Sequence, residues 1–188
     1  MWARNKQTGF TIVELLIVIV IIAILAAITV VAFNGVQTRA RETTRMDDVS
    51  KIRKALELYR ANNDRYPPHT AIGTNAPAGF SGRYGSSYSY SVATNGSWLN
   101  NLLSANIVPS VPVDPLNDND HYYIYWSSGV NGYGACTQPF YVLVAYGLEG
   151  GATLPGSRTL TCTMPDGTFP SNWVNSTTQA VFSNTTTP

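Results

Sequence analysis

Charged side chains are scarce over most of this 188-residue chain. Beyond Tyr66, only seven of the remaining 122 positions carry a charge: Arg83, Asp114, Asp118, Asp120, Glu149, Arg158 and Asp166. A dedicated nucleic-acid-binding domain presents clustered Lys and Arg to phosphates, and this region has no such cluster. It is instead rich in Gly, Ser, Thr, Asn and Tyr, which is typical of strands joined by polar turns.

Cysteine and histidine are equally scarce, with two of each. Two cysteines cannot supply a four-thiolate zinc site, and the separation of Cys136 and Cys162 excludes a CxxC redox motif. In an oxidising compartment we expect these two to form a disulfide, with two buried free thiols as the alternative. Neither His69 nor His121 lies in a metal or catalytic motif, and no phosphate-binding loop or nucleophile elbow occurs. The sequence therefore predicts a protein that is not an enzyme, with a membrane-anchored enzyme using His121 as the alternative.

A long apolar run lies near the N-terminus. Every residue from Leu15 to Phe33 is apolar except Thr29. As a helix these residues would extend about 28 Å, close to the hydrocarbon thickness of a bilayer. Glu14 stands at the front of the run, where a carboxylate costs less than the roughly 3 kcal/mol expected at the centre of a span. The pattern predicts a membrane-spanning helix, with a secretory signal or a plain membrane anchor as alternatives.

The helix is expected to continue well beyond the apolar run. Apolar residues recur at the spacing of one helix face, and the intervening charged positions, Asp48 among them, are assigned to a solvated face. That apolar face consists of Met46, Val49, Ile52, Leu56 and Tyr59. The sequence predicts one helix from about Thr11 to Asn62, ended by Asn62–Asp64 and the Pro67-Pro68 pair and loosened near Gly35.

The C-terminal part is predicted to be mostly β. The segments His121–Trp126 and Phe140–Tyr146 are rich in Tyr, Val, Ile and Phe and are bounded by turn residues. A third strand is expected at Leu160–Met164, a short helix at Trp98–Leu103, and a polar tail at Asn172–Pro188. The predicted fold class is α+β, with a long N-terminal helix packed on a small antiparallel sheet.

The stretch KQTGFTIVEL, residues 6 to 15, resembles the processing site of type IV prepilins and pseudopilins. The resemblance implies a leader at 1–9 that a membrane peptidase removes by cutting between Gly9 and Phe10. The new N-terminal Phe10 would then be methylated, and Glu14 would neutralise the N-terminus of an adjacent subunit during assembly. It also implies four parts: the leader, a membrane and filament-core helix at 10–33, its amphipathic continuation at 34–66, and a globular domain at 67–188 stapled by a disulfide.

The function implied by this resemblance is structural. The chain would be a single-pass membrane protein with residues 67–188 outside the cytoplasm, and would then enter an extracellular helical filament of identical subunits. Its expected partners are the prepilin peptidase and N-methyltransferase, the pilus assembly machinery and the lipid bilayer. The filament would serve adhesion, motility or DNA uptake. The alternatives are a pseudopilin of a type II secretion or competence system, and a tip-located minor subunit that binds a surface or DNA through exposed tyrosines between Tyr84 and Tyr90.

One cluster of oxygen-bearing residues invites a cation. Asp114, Asn117, Asp118 and Asp120 are closely spaced, and calcium prefers such oxygen ligands. The cluster lacks the spacing and the closing glutamate of an EF-hand. We therefore expect a solvated Asn/Asp turn without a cofactor. A calcium site is the alternative, because the major pseudopilins that this sequence resembles bind calcium in a comparable loop.

Overall fold

The computed structural model describes residues 9–70, 88–93, 98–130, 133, 136–149 and 154, and the backbone of 178–182. The chain divides into two compact units, Met1–Ala40 and Arg41–Pro188. In chain order the elements are α1 (Ile12–Asn63), β1 (Ser89–Tyr90), α2 (Asn100–Ser104), β2 (Tyr122–Ser127), β3 (Tyr141–Tyr146) and β4 (Thr178–Phe182). The sequence prediction of an α+β fold is confirmed.

Helix α1 agrees with the predicted bounds to within one residue at each end. It is unbroken at Gly35, where the sequence favoured a loosening. The helix ends where the Asn-Asn-Asp run predicted: Asp64 adopts a left-handed φ of 55° and donates its N–H to the carbonyl of Arg60 at 2.8 Å. Such a left-handed residue after the last turn satisfies carbonyl groups that the helix leaves without partners.

In the first unit, the apolar run is exposed on every side. Its large side chains from Leu15 to Phe33 are between 48% and 74% exposed. Among the described residues α1 is the one helix long and apolar enough to cross a membrane, with a mean hydropathy of 3.4 over its most apolar 18 residues and none of that window buried. A core helix of a soluble domain would bury such a window, so this part of α1 needs lipid or another chain around it.

In the second unit, α1 contributes one face to the core. Val49, Ile52, Leu56 and Tyr59 are buried and Met46 is half-buried, as the apolar spacing predicted. The buried stripe continues toward the N-terminus through three charged residues, Glu42, Arg45 and Asp48. The assignment of Asp48 to the solvated face is therefore wrong, because the helical stripe carries its side chain to the same side as Val49 and Ile52.

The sheet is antiparallel, with its four strands in the order β1-β2-β3-β4. The central strands β2 and β3 fall where the sequence placed them, and Ile124 pairs with Val144. The prediction of a polar tail at Asn172–Pro188 needs correction, since β4 lies inside it and pairs with β3. The predicted strand at Leu160–Met164 lies outside the described residues.

Both faces of the sheet are buried, which makes two core clusters. On one face, Tyr123 and Tyr125 of β2 and Leu143 of β3 pack with the buried stripe of α1. On the other face, Ile124 and Val144 pack with residues that include Phe140 and Cys136. Alternate residues of β2 therefore serve different cores, as the two-residue period of a strand requires.

Two further expectations concern the segments beside the sheet. The short helix lies at Asn100–Ser104, two residues later than its predicted start. Tyr88 and Tyr90 are buried within the second cluster, while Tyr84 lies outside the described residues. The prediction of exposed tyrosines that stack on sugars or bases is therefore wrong for Tyr88 and Tyr90, because their rings pack edge to face with each other and, for Tyr90, with Tyr122.

Candidate functional site

The predicted processing site lies immediately before α1. Gly9 and Phe10 are both exposed, and neither is in a helix or strand. Phe10 is 84% exposed, and no described atom would contact a Cβ placed on Gly9. A peptide bond that is to be cleaved must enter the active site of a protease in an accessible, non-helical form, and the bond between these two residues has that form.

Thr11 and Glu14 form a reciprocal cap at the start of the helix. The backbone N–H and the hydroxyl of Thr11 both donate to Glu14 Oε2 at 2.8 Å, and the Glu14 N–H donates to the Thr11 hydroxyl at 3.3 Å. This is the capping-box arrangement, in which a threonine and a glutamate three residues later satisfy each other's helix-end donors. The carboxylate also lies at the positive end of the helix dipole.

The cap explains how an acid is tolerated at the edge of an apolar span. Local donors stabilise the negative charge of Glu14. No Lys or Arg could pair with it from nearby in the helix, since Glu14 is the single charged residue between Phe10 and Asn34. The same carboxylate retains Oε1 as an acceptor for a further donor. It can therefore cap its own helix and still accept a hydrogen bond from a further donor.

The second unit contains a buried ion cluster centred on Arg45, whose side chain is 0% exposed. Its guanidinium binds Asp114 with two nitrogens, Nε to Oδ2 at 2.7 Å and Nη2 to Oδ1 at 3.1 Å. Its third nitrogen, Nη1, donates to Glu42 Oε1 and to Glu149 Oε2, each at 3.1 Å. One cation thus contacts three carboxylates, which come from α1, from the segment before β2 and from the segment after β3.

Arg41 and Glu42 complete this cluster. Arg41 binds Glu149 with two nitrogens at 2.7 and 2.8 Å, and the backbone N–H of Glu149 donates to Glu42 Oε1 at 2.7 Å. The hydrogen bond from Arg41 lowers the pKa of Glu149, burial opposes this, and Arg45 lowers it further. Burial lowers the pKa of Arg45, but its bonds to Asp114 and Glu149 and the charge of Glu42 outweigh burial and raise it.

A further buried carboxylate, that of Asp48, adjoins this cluster. The Tyr123 hydroxyl donates to Asp48 Oδ2 at 3.2 Å, across the interface between α1 and β2. Burial raises the pKa of Asp48, and the tyrosine and Lys51 partly offset it. Burial also raises the pKa of Tyr123 far above its ordinary value, with the nearby charge of Asp48 adding to it. The tyrosine therefore stays a donor at physiological pH.

Sequence reasoning missed the Arg45 cluster. Glu42 and Arg45 continue the helical spacing of the buried face at Val49 and Ile52, which is the signal that could have revealed them. Asp114 and Glu149 are two of the seven charges in a charge-poor region. Their pairing with Arg45 joins positions 69 and 104 residues apart, and no local pattern predicts it.

The structure does not gather the four residues of the candidate cation cluster, Asp114, Asn117, Asp118 and Asp120, around a shared position. Asp114 faces Arg45, and its Oδ1 also accepts the N–H of Leu116 at 2.9 Å. Of the other three residues, Asn117 and Asp118 each accept hydrogen bonds through one side-chain oxygen. Within the described part of the chain, no group of three or more His, Cys, Asp and Glu side chains is placed to hold a metal ion.

Asn117 bonds to a residue distant in sequence, and Asp118 forms a local turn. Asn117 Oδ1 accepts the Ser91 hydroxyl at 2.7 Å. Asp118 Oδ1 accepts the N–H of Asp120 and contacts His121 Nδ1, both at 2.9 Å. The bond from Asp120 to Asp118 resembles the Asn/Asp turn that the sequence favoured.

Cys136, the first member of the predicted disulfide, is buried in the second core cluster. Its predicted partner Cys162 lies outside the described residues. The pairing therefore stays a prediction.

The N-terminal motif and part of the chain match known proteins. Residues 4–30 match a family model described as the prokaryotic N-terminal methylation motif. The chain is 36% identical over 64 residues to the type II secretion system core protein G of Aeromonas hydrophila, covering 34% of this chain and 45% of that protein. It is 37% identical over 67 residues to the protein of that name in Escherichia coli K12, covering 36% of this chain and 46% of that protein.

A third relative, the type II secretion system core protein G of Pseudomonas aeruginosa, is 38% identical over 64 residues, which cover 34% of this chain and 45% of that protein. The chain thus spans less than half the length of the curated relatives that it matches. No solved structure matches the chain. The matches confirm the resemblance to the type IV pilin-like family that KQTGFTIVEL indicated.

The charge of Glu149 should contribute stability that depends on pH. Its folded-state pKa is below the ordinary value of 4.5, so the contribution is present above that pH and is lost as the pH falls through the folded-state pKa. We expect Glu149→Gln to destabilise the full-length protein by about 1–3 kcal/mol at pH 7. Its melting temperature should approach that of the wild type as the pH falls toward 3.

The matched control is Asp47→Asn, which removes a carboxylate that is 61% exposed and pairs with Lys51 on the surface. Exposed pairs contribute little, so this variant should melt like the wild type at every pH. A difference between wild type and Glu149→Gln that stays constant from pH 7 to pH 3 would contradict the role of this charge.

Proposed function

We propose that this type IV pilin-like chain is a structural subunit of a helical filament that assembles from the membrane, with no catalytic role. The observation that carries the proposal is the arrangement at residues 9–14. An exposed Gly9-Phe10 bond precedes a helix capped by Glu14, and an uncovered apolar helix follows. The methylation motif over residues 4–30 supports the same reading.

The proposed sequence of events follows from that arrangement. Lipid first covers the apolar run, because such a window cannot remain in water. A prepilin peptidase then cuts after Gly9, which gives Phe10 a free α-amino group, and methylates it. As the subunit leaves the bilayer, neighbouring copies replace lipid around Leu15–Phe33. Glu14 then accepts the positive N-terminus of an adjacent copy.

Two kinds of filament suit such a subunit. One is a surface pilus for adhesion, motility or DNA uptake, and the other is a short filament of a secretion or competence system. The name of the relatives, type II secretion system core protein G, favours the secretion filament. Imaging a deletion strain for pili, beside an assay of its secreted proteins, distinguishes them, because a secretion defect without loss of visible pili is expected only for the second.

The side of the membrane on which residues 67–188 lie is proposed together with the disulfide, because the disulfide depends on it. If residues 67–188 lie outside the cytoplasm, Cys136 and Cys162 reach an oxidising compartment and can pair. One observation supports this pairing: the described residues, Cys136 among them, include no free cysteine. A bridge that closes a loop of this length could stabilise the domain by roughly 3 kcal/mol in the chain-entropy model.

The disulfide can be tested on protein taken from the cell surface. We expect Cys136 and Cys162 to resist alkylation until a reductant is added, and then to react together. Unfolding the protein before alkylation, without reductant, separates burial from bonding. Free thiols that react in the unfolded, unreduced protein would contradict the proposed bridge.

Processing can be tested by mass spectrometry of filament material. We expect an N-terminal Phe10 that carries one methyl group. Loss of Arg4 and Lys6 changes the formal charge from 12 − 11 = +1 to 10 − 11 = −1. An intact Met1 in assembled filaments would contradict the proposal, and cleavage at the end of the apolar run would indicate a secretory signal instead.

The assembly role of Glu14 can be separated from its capping role. Glu14→Gln keeps an oxygen that can accept from Thr11 but loses the charge, whereas Glu14→Ala loses both. Loss of the cap alone should cost about 1 kcal/mol of helix stability. If the charge carries assembly, both variants should enter the membrane normally and yield far less sheared filament than the wild type.

The matched control is Thr29→Val, which removes the polar group inside the apolar run. The Thr29 hydroxyl donates only to backbone carbonyls of its own helix, those of Leu25 and Ala26. Filament yield from this variant should be normal. Normal filaments from both Glu14 variants, at normal subunit levels, would show that Glu14 is not the assembly residue.

A further inference from the structure

The Arg45 cluster joins three segments of the chain through one buried cation. Asp114 lies in the segment that enters β2, Glu149 lies in the segment that leaves β3, and Glu42 lies one helical turn before Arg45 on α1. The side chains of Arg45 and Asp114 are both 0% exposed. Carboxylates removed from water in this way require a positive partner, because an unpaired buried charge is strongly unfavourable.

Proteins often meet such a requirement with a divalent cation. Calcium takes six to eight oxygen ligands at about 2.3–2.6 Å, mostly from carboxylates and carbonyls. The segment Asp114–Asp120 has the composition for such a site, and the family resemblance suggests one. The geometry does not fit, because both oxygens of Asp114 are already bound by Arg45 and Asn117 is bound to Ser91.

The guanidinium fits the position of Asp114 well. Two parallel N–H groups meet the two carboxylate oxygens, which is the paired geometry that arginine forms and lysine cannot. The remaining donors of Arg45 reach Glu42 and Glu149, and Arg41 supplies a second positive charge to Glu149. Each of the three carboxylates therefore contacts at least one arginine.

We infer that Arg45 takes the structural place of a divalent cation, and that its guanidinium fixes the segment before β2 and the segment after β3 to the helix. The domain should consequently fold and remain stable without calcium. This inference concerns the charged groups that hold the domain together. Its test is therefore independent of the proposed filament function.

The test is thermal unfolding of the full-length protein in detergent, with either EDTA or millimolar calcium chloride. A cation that binds only the native state raises the melting temperature in proportion to its occupancy. We expect the wild type to melt at the same temperature in both solutions. A lower melting temperature in EDTA would overturn the inference.

Asp114→Asn separates the two possible partners of this carboxylate. If Asp114 serves Arg45, the variant should melt several degrees below the wild type in EDTA and in calcium alike. If Asp114 serves a metal, the difference should disappear in EDTA, where the wild type has lost the metal too, and that result would overturn the inference. Asp118→Asn is the matched control, since the Asp118 side chain is 52% exposed and the variant should melt like the wild type.

Arg45→Lys supplies a second, independent outcome. Lysine keeps the positive charge but loses the forked pair of bonds to Asp114, so we expect a lower melting temperature in both solutions. A variant as stable as the wild type would overturn the claim that the guanidinium holds this segment. If Asp114→Asn does not fold, the comparison of EDTA and calcium on the wild type still decides between arginine and a metal.

Discussion

The exposed apolar run from Leu15 to Phe33 is the constraint on which the rest of the structure depends. Burying one large aliphatic side chain stabilises by about 1.5–3 kcal/mol, so the run cannot stay in water. Lipid and a second copy of the helix cover it about equally well, because hydrophobic driving force between helices is absent inside a bilayer. In the function that we propose, packing between helices and a polar interaction together favour association of subunits. Glu14, the single charged residue between Phe10 and Asn34, is placed to supply the polar interaction.

Two of the few charged residues beyond Tyr66 fix the position of α1 against the rest of its domain. Of the seven charged residues in that region, Asp114 and Glu149 both contact Arg45. Buried ion pairs are weak evidence for stability, but breaking one by removing a partner is costly. A helix that moved by one turn along the sheet would leave these carboxylates without Arg45. The cluster thereby fixes which turn of the helix faces the two segments, while the apolar stripe at Val49 and Ile52 supplies the general attraction.

The features that could be predicted from the sequence are those that a local pattern of residues determines. The bounds of α1 follow from helical spacing and a left-handed stop at Asp64, and the two central strands follow from runs of Tyr, Val and Ile. Two short edge strands were missed, because two residues at β1 and the sequence TQAVF at β4 carry too little pattern beside a polar tail. Arg45 and Asp48 were missed because a charge on a helix ordinarily indicates solvent. Helical spacing places both residues on the buried face, but the tertiary contacts with Asp114 and Tyr123 that make their burial tolerable have no local pattern.

The central claim is that the apolar run exchanges lipid for copies of itself, and site-specific photo-crosslinking tests it most directly. A photoreactive residue in place of Leu16, which is 53% exposed in the single subunit, reports what covers the run. Our account predicts lipid adducts in cells that lack the assembly machinery, and adducts of twice the subunit mass in isolated filaments. Filaments whose processed subunits gave no adduct between two chains at this position would contradict it.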